Sequence, residues 1–277
     1  MTSRVLAILG MHRSGTSVVT QWLHACGLHV GERLLGPGVG NIEGHFEDEE
    51  LYGFHRAWLE ENRLSYSGFV DAPIPRLTED KRDRLRSLLE ARNMRFEAWG
   101  WKDPRTCLFL DVYAQLLPDA HYLVVLRDFR ATVSSMIVRL QGQKDRKYAS
   151  KNVLQRWLWF NVGRGMKRRE ASRFLRVWIF YNRQILNRLR ELDRECYAIV
   201  DCEMLLRHDR EVFATLTKQW GFPLDYVPFR DVHKSSLIST PLEIEGRIDR
   251  GLWREAEALQ RELLALARES RVGATVS

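Results

Sequence analysis

The most constraining feature of this chain is an apolar run that leads directly into a glycine-flanked turn. The run is Val5-Leu6-Ala7-Ile8-Leu9, the turn is Gly10-Met11-His12-Arg13-Ser14-Gly15-Thr16-Ser17, and apolar residues then recur at helical spacing from Val18 to Cys26. A strand, a tight turn and a helix start leave backbone N–H groups at the positive end of a helix dipole, which favours a phosphate there. The sequence therefore predicts an α/β fold that begins with a phosphate-binding loop.

The positive charge of this loop lies in an unusual place. In the nucleoside triphosphatase loop G-x-x-x-x-G-K-[ST], a lysine after the second glycine reaches the terminal phosphates. Here Thr16 occupies the lysine position, and the cation is Arg13, two residues before Gly15. This placement disfavours ATP or GTP hydrolysis. A P-loop nucleotide kinase stays open as an alternative, as does a plain glycine turn that only joins a strand to a helix.

Charged residues also follow the other predicted strands. Asp103-Pro104-Arg105 comes after a strand at 97–102, and Arg127 follows a continuous strand rich in β-branched residues at 121–126. Alternating strands and helices indicate a parallel sheet covered on both faces, with ligands beyond the carboxyl ends of its strands. We expect these segments to converge there. The remaining predicted elements are helices at about 49–63, 78–92, 106–116, 151–192, 210–220 and 251–268, and a strand at 196–200.

Length and charge distribution suggest one domain with a basic segment. A chain of 277 residues with 45% hydrophobic content is long enough for a single α/β domain over residues 1–277. Residues 139–190 contain 15 Lys and Arg but two acids, so this segment carries +13 and the remainder carries −6. We interpret 139–192 as a basic helical insertion. It would either attract an anionic cosubstrate, acceptor or membrane surface, or form a solvated arginine face.

Composition also limits the partners and the location that we expect. No apolar run reaches the roughly 18–20 residues that span a membrane, and the first strand begins almost at once, so we expect a soluble, cytoplasmic protein. Peripheral membrane contact stays open. The charge is not accompanied by a nucleic-acid-binding signature, so we expect no nucleic acid partner. Four cysteines without a C-x-x-C pair or zinc-spaced histidines predict neither a metal nor a disulfide.

Two of these segments together resemble a known family. The loop from Gly10 to Ser17 is similar to the 5′-phosphosulfate loop of sulfotransferases that use 3′-phosphoadenylyl sulfate (PAPS), where Lys or Arg precedes Ser-Gly-[TS]-[TS]. Arg127, with Ser135 eight residues later, resembles the 3′-phosphate motif of the same family. Phe129 stands where many members have proline, a departure that we expect to affect turn geometry more than chemistry.

Three further stretches resemble the bacterial branch that acts on carbohydrates and other small or cell-surface acceptors. They are Asn41-Ile42-Glu43-Gly44-His45-Phe46-Glu47, Trp101-Lys102-Asp103-Pro104-Arg105 and Ile199-Val200-Asp201-Cys202-Glu203-Met204-Leu205. The last usually reads Tyr-Glu-Asp-Leu, so Asp201 and Cys202 are departures. The resemblance covers most of residues 4–224. It implies a bacterial, PAPS-dependent sulfotransferase (EC 2.8.2.-) with the three-layer fold of P-loop nucleoside triphosphate hydrolases and no metal.

The resemblance also implies roles for the residues of the site. Arg13 would stabilise the charge that develops on the bridging oxygen and the departing 5′-phosphate. The N–H groups of Ser14, Gly15, Thr16 and Ser17 and the hydroxyls of Thr16 and Ser17 would hold that phosphate. Arg127 would bind the 3′-phosphate bidentately together with Ser135. Lys102 would pair with the sulfuryl oxygens. The acceptor would offer a hydroxyl or amine, on a sugar-rich or anionic molecule.

The residue that removes the acceptor's proton stays open at this stage. Glu43, His45 and Glu47 lie within five residues of one another, and Asp103 follows another strand. We favour Glu47, because the family pattern Asn-x-x-Gly-aromatic/His-aromatic-Glu ends there. Glu43 comes next, because a Glu-x-His-Phe-like string carries a base in other carbohydrate sulfotransferases. Each acid also fits an ordinary surface or helix-capping role, and a nucleotide-binding protein without catalysis stays open too.

Overall fold

A computed structural model describes residues 3–36, 44–149, 153–233 and 242–272 of the chain. Its centre is a four-stranded sheet in the order β2-β1-β3-β4, and every neighbouring pair is parallel. The strands are β1 (Arg4–Leu9), β2 (Ala98–Lys102), β3 (His121–Val125) and β4 (Tyr197–Val200). The predicted parallel α/β fold is therefore confirmed.

Helices cover both faces of this sheet. One face carries α1 (Thr16–Ala25), α7 (Cys202–Ala214) and α8 (Phe229–Val232). The other face carries α2 (Glu49–Glu61), α3 (Glu79–Arg95), α4 (Leu110–Leu116), α5 (Phe129–Ala149), α6 (Val153–Glu191) and α9 (Arg250–Val272). The architecture is the three-layer sandwich of the P-loop class.

The residues of β1 explain why two layers form. Val5, Ala7 and Leu9 pack into the hydrophobic cluster on the α6 side, whereas Leu6 and Ile8 pack into the cluster on the α1 side. Successive side chains of a strand point to opposite faces, so a continuous apolar run is buried twice. The same apolar run thus fixes the strand at the centre of the molecule and aims its carboxyl end at the glycine loop.

Two predicted helix boundaries are wrong, and each error has a local cause. The helix expected at 106–116 is a 3₁₀ turn over Pro104–Leu108 followed by α4. Pro104 fits the first position of a helical turn, and the preceding Asp103 accepts a hydrogen bond from the Arg105 N–H at 2.8 Å. The helix expected at 210–220 begins at Cys202, because the Asp201 carboxylate caps it by accepting from the Met204 N–H at 2.8 Å.

The basic segment folds as α5 and α6, and α9 neutralises the charges near its end. Trp178, Tyr181, Ile185 and Leu189 of α6 are buried, as their helical spacing predicts. On the exposed side of α6 and just beyond it, three arginines pair with glutamates that recur every seven residues along α9. These ion pairs are Arg183–Glu255, Arg190–Glu262 and Arg194–Glu269. Exposed pairs of this kind contribute about 0–1 kcal/mol each, so they set the register of α9 more than its stability.

Across the described ranges, no helix has both the length and the apolar content needed to cross a lipid bilayer.

Candidate active site

The loop between β1 and α1 depends on two glycines. Gly10 and Gly15 have φ values of +154° and +101°, and Arg13 also lies in the left-handed region at +70°. A Cβ on Gly10 would come within 2.7 Å of the Val125 carbonyl oxygen, so only glycine fits there. Gly15 is the N-terminal cap of α1 and makes no side-chain cap, and the first N–H groups of a helix have no partner within it. The loop therefore offers these N–H groups to an anion.

The two segments that resemble phosphate motifs meet at this loop. The Arg13 Nε donates a hydrogen bond to the Ser135 Oγ at 3.1 Å, although the two residues are 122 positions apart. The Arg127 Nη1 donates to the Arg13 carbonyl oxygen at 2.9 Å. Burial, followed by the charges of Arg139 and Arg127, lowers the pKa of Arg13. Crowded, partly buried guanidinium groups of this kind are stabilised by a bound anion.

Lys102 links the end of β2 to the same loop. Its Nζ donates to the Glu47 Oε1 at 2.9 Å and to the Ser17 Oγ at 3.2 Å, and it also bonds the His45 carbonyl oxygen. The side chain of Lys102 is 1% exposed and that of Glu47 is 8% exposed, so this is a buried ion pair. The structure thus brings Lys102 and Ser17 together, as the strand-end argument predicts, and it places the segment that carries Glu47 beside them.

Asp103 has a different environment from that of Glu47. Its Oδ1 accepts from the Arg105 N–H at 2.8 Å and from the Arg105 Nη1 at 2.6 Å. Its Oδ2 lies 2.9 Å from the His55 Nδ1. Burial alone would raise the pKa of Asp103, but the charges and hydrogen bonds of Arg105 and His55 hold it well below its usual range. Both oxygens of this carboxylate are therefore engaged in fixed contacts.

The sequence analysis did not find two residues near the site. His55 lies fully buried in α2, between Asp103 and the Tyr113 hydroxyl at 2.8 Å. Arg139 lies on α5 one turn beyond Ser135, close enough for its charge to act on Arg13 and Glu47. The i, i+4 spacing of Ser135 and Arg139 in the sequence indicates that Arg139 lies on the same face of the helix as Ser135. A lone histidine on a helix gives no such signal.

Of the two other candidates for the base, the structure describes His45 but not Glu43. The imidazole of His45 is half-buried, and burial lowers its pKa despite the opposing charge of Glu47. Its backbone carbonyl accepts hydrogen bonds from Ser17 and Lys102. Glu43, together with Asn41 and Ile42, lies outside the described residues.

The departure at Phe129 has a structural explanation. The Phe129 N–H donates to the Gln260 Oε1 at 2.9 Å, and the Gln260 Nε2 donates to the Asp128 Oδ2 at 2.9 Å. Proline has no N–H and would lose the first of these bonds. The Phe129 ring is fully buried and packs against Trp178 and Trp253. Residue 129 therefore ties α9 to the turn that carries Arg127.

Of the two departures at Asp201 and Cys202, the second contacts the glycine loop. Asp201 caps α7, as described above, and the Cys202 thiol lies against Gly15: a Cβ on that glycine would come within 2.8 Å of the Cys202 Sγ. Burial raises the pKa of Cys202 to about 11, so its thiol is protonated at neutral pH. Cys202 thus packs against the loop as a small apolar group.

Among the residues that the structure describes, no group of three or more His, Cys, Asp or Glu side chains comes close enough together to hold a metal ion.

A parallel sheet covered by helices on both faces, whose first strand ends in a glycine loop before a helix, is the architecture of P-loop α/β proteins. Within this class, a family model described as "Sulfotransferase family" matches residues 6–225. The chain therefore belongs to the sulfotransferase family, whose members transfer sulfuryl groups. No curated protein matches the sequence significantly.

Solved structures support the same fold. The chain is similar to the sulfotransferase STF9 from Mycobacterium avium, with 15% identity and a TM-score of 0.52, over 96% of this chain and 76% of that one. It is also similar to the sulfotransferase STF1 from Mycobacterium tuberculosis H37Rv, with 14% identity and a TM-score of 0.50, over 95% and 77% of the two chains. At these identities the likeness concerns the fold.

Proposed function

We propose that this protein transfers a sulfuryl group from PAPS to a hydroxyl or amine of an acceptor, and that Arg13, Arg127 and Ser135 hold the two ends of the donor. The observation that carries this proposal is the direct contact of the two motifs. Arg13 bonds Ser135 at 3.1 Å, and Arg127 bonds the backbone of Arg13 at 2.9 Å. A donor with phosphates at both its 5′ and 3′ positions would occupy such a pair of adjoining cation sites.

The loop residues divide between binding the donor and shaping the loop. The Ser14 hydroxyl and the Ser14 N–H both donate to the Met11 carbonyl oxygen, at 2.7 Å and 3.2 Å, so Ser14 mainly shapes the loop. The Ser17 hydroxyl accepts from Lys102, a donor that would also reach the sulfuryl oxygens. We therefore assign the 5′-phosphate chiefly to the N–H groups of Gly15, Thr16 and Ser17, with the Thr16 and Ser17 hydroxyls beside them.

The balance of charge supports an anionic donor. Arg13, Lys102 and Arg105 contribute three positive charges at the strand ends, and Arg139 approaches from α5. Only two carboxylates, Glu47 and Asp103, oppose these four cations in the described part of the site. A phosphosulfate group, with one negative charge on phosphate and one on sulfate, would be attracted to this cation-rich end of the sheet. Buried charges require such compensation.

The reaction needs an in-line displacement and one proton transfer. The acceptor oxygen or nitrogen forms a bond to sulfur as the bond from sulfur to the 5′-phosphate oxygen breaks, and the electron pair leaves with the phosphate. Arg13 would stabilise that leaving group as its charge grows, and it acts without losing a proton. The acceptor's proton would go to a carboxylate beside the sulfuryl group.

We propose Glu47 as that carboxylate. Its Oε1 bonds Lys102, which in turn bonds Ser17 of the loop, so Glu47 lies next to the expected sulfuryl position. Its Oε2 lies 3.6 Å from the Arg105 Nη1, beyond a normal hydrogen bond. Asp103, by contrast, has both oxygens engaged by Arg105 and His55. A sugar-rich, small or cell-surface acceptor and a bacterial origin follow from the family resemblance, and we keep the cytoplasmic location as an expectation.

Transfer of labelled sulfate from PAPS to a panel of acceptors tests the proposal. Arg13→Ala should abolish transfer while leaving some binding of adenosine 3′,5′-bisphosphate, and Arg86→Ala on the exposed side of α3 is the matched control. Thermal stabilisation by ATP but not by the bisphosphate would favour the nucleotide kinase instead. Tight binding of the bisphosphate without transfer to any acceptor or hydrolysis of PAPS would favour a binding protein without catalysis.

A further inference from the structure

The carboxylate of Asp103 and the carboxylate of Glu47 compete for one nitrogen of Arg105. The Arg105 Nη1 lies 2.6 Å from the Asp103 Oδ1 and 3.6 Å from the Glu47 Oε2. A charge-assisted N–H···O bond is usually about 2.7–2.9 Å long, so this nitrogen is bonded to Asp103 and only near Glu47. Arg105 thus lies between the two acids but is committed to one of them.

Other contacts of Arg105 keep it in this position. Its Nε donates to the Tyr66 carbonyl oxygen at 3.0 Å, and its guanidinium lies 4.6 Å from the centre of the Tyr52 ring. The side chain is 7% exposed, so solvent does little to screen its charge. Unlike the Tyr66 carbonyl and the Tyr52 ring, Asp103 carries a full negative charge. The Asp103 carboxylate therefore sets the orientation of the guanidinium.

Asp103 is itself held by a buried hydrogen-bond chain. Its Oδ2 accepts from the His55 Nδ1 at 2.9 Å, and the His55 Nε2 lies 2.8 Å from the Tyr113 hydroxyl. Burial raises the pKa of Tyr113 well above its usual value, so this hydroxyl stays protonated. The Asp103 carboxylate accepts from the Nδ1 and the Tyr113 hydroxyl bonds the Nε2, so both nitrogens of the imidazole are engaged and its orientation is fixed.

From this arrangement we infer that Asp103 and His55 are positioning residues that hold Arg105 away from Glu47, leaving Glu47 Oε2 open to the acceptor's proton. This inference rests on the proposed role of Glu47 as the base. Neither Asp103 nor His55 would touch the donor or the acceptor; they would act through Arg105. The hydrogen-bonded series of Tyr113, His55, Asp103 and Arg105 therefore sets how closely the Arg105 cation approaches the carboxylate of Glu47.

The other charged groups that face Glu47 do not replace this control. Lys102 bonds the Oε1 of Glu47 from β2, and Arg139 acts on Glu47 from α5. His45, two residues before Glu47, has a pKa that burial lowers, so it is neutral at the pH of an ordinary assay. Arg105 is the cation whose distance from Glu47 is set by a second carboxylate, and it is the one that would move when Asp103 loses its charge.

The test is the pH dependence of kcat in Asp103→Asn and His55→Gln. Without the charge or the orientation of Asp103, Arg105 loses its bonded carboxylate and should move onto Glu47. An opposite charge at closer range lowers a carboxylate pKa, so the pKa of Glu47 should fall. We expect the acid limb of the profile to move to lower pH by about one unit and kcat to fall about threefold to tenfold, since a weaker base removes the proton less effectively. Affinity for adenosine 3′,5′-bisphosphate should stay within about twofold, because the nucleotide contacts are unchanged.

Arg105→Gln provides the opposite perturbation. Removal of its charge from Glu47 should move the acid limb to higher pH. In the Arg105→Gln background, Asp103→Asn should cause no further shift, because Asp103 acts through Arg105. His29→Gln is the matched control for a histidine substitution, since His29 stacks on Phe96 in a different part of the chain. If Asp103→Asn does not fold, His55→Gln carries the test.

The possible results separate the inference from the proposed function. An unchanged acid limb in Asp103→Asn and His55→Gln, with Glu47→Gln inactive, would overturn the positioning role and keep Glu47 as the base. Full transfer by Glu47→Gln would overturn both. A downward shift that disappears in the Arg105→Gln background would support the positioning role, since a loss of general stability would not respond to that background.

Discussion

Substitution of Gly15 by alanine should destabilise the protein for two separable reasons. The residue has a φ of +101°, which costs an alanine about 1–3 kcal/mol. The added Cβ would also lie 2.8 Å from the Cys202 Sγ, well inside van der Waals contact. Overpacking of this size typically costs about 1–3 kcal/mol. We therefore expect Gly15→Ala to lose about 2–6 kcal/mol of unfolding free energy.

A double-mutant cycle with Cys202→Ala separates the two terms. Removal of the thiol relieves the packing overlap but leaves the backbone strain, so the coupling free energy should be about 1–3 kcal/mol. Urea unfolding of the four proteins measures it, and binding of adenosine 3′,5′-bisphosphate shows whether the loop keeps its shape. Gly53→Ala is the control: it lies exposed in α2, its Cβ would meet nothing within 4 Å, and it should gain about 0.5–1 kcal/mol.

Two results would refute this reasoning. If Gly15→Ala lost as much stability without the Cys202 thiol as with it, Cys202 would not pack against the loop in the way described. If Gly15→Ala were as stable as the unsubstituted chain, the left-handed backbone at this position would be wrong.

Three other predictions follow from the site and its supports. Arg127→Ala should reduce discrimination between adenosine 3′,5′-bisphosphate and adenosine monophosphate by about 10- to 100-fold in calorimetric titrations, because a charge-assisted contact contributes about 1.5–3 kcal/mol. Phe129→Pro should lower the free energy of unfolding by more than about 3 kcal/mol, because a fully buried ring is lost together with the amide donor to Gln260, and in urea unfolding Gln260→Ala should cost less in that background than in the unsubstituted chain, since Gln260 then has only its bond to Asp128 to lose. The pKa of Asp103 is depressed on folding, so the stability advantage over Asp103→Asn should be full above about pH 4 and should shrink as the pH falls below it.

Local patterns allowed the glycine loop and its partners to be predicted. The apolar run of β1 and the glycines after it are contiguous in sequence, so the strand, turn and helix follow from short-range chemistry. The contact between Arg13 and Ser135 spans 122 residues, yet it was predictable, because the carboxyl ends of parallel strands meet at one edge of a sheet.

Other parts of the structure depend on packing that a single sequence does not reveal. His55 occupies an apolar face of α2, where a histidine looks like any half-buried residue until Asp103 and Tyr113 are seen beside it. The start of α7 was placed too late because the capping role of Asp201 was not weighed against the apolar periodicity. The separation of Asp103 from Glu47 by one guanidinium depends on the side-chain positions and not on sequence spacing.

The hydrogen bond from Phe129 to Gln260 also has a consequence for the order of events during protein synthesis. The two residues are 131 positions apart, so at about 5–20 residues per second roughly 7–26 s pass between their incorporation. During that interval the turn that carries Arg127 lacks its partner from α9. The proposed 3′-phosphate side would therefore be completed late in synthesis, and we expect donor binding by a nascent chain only after α9 has emerged.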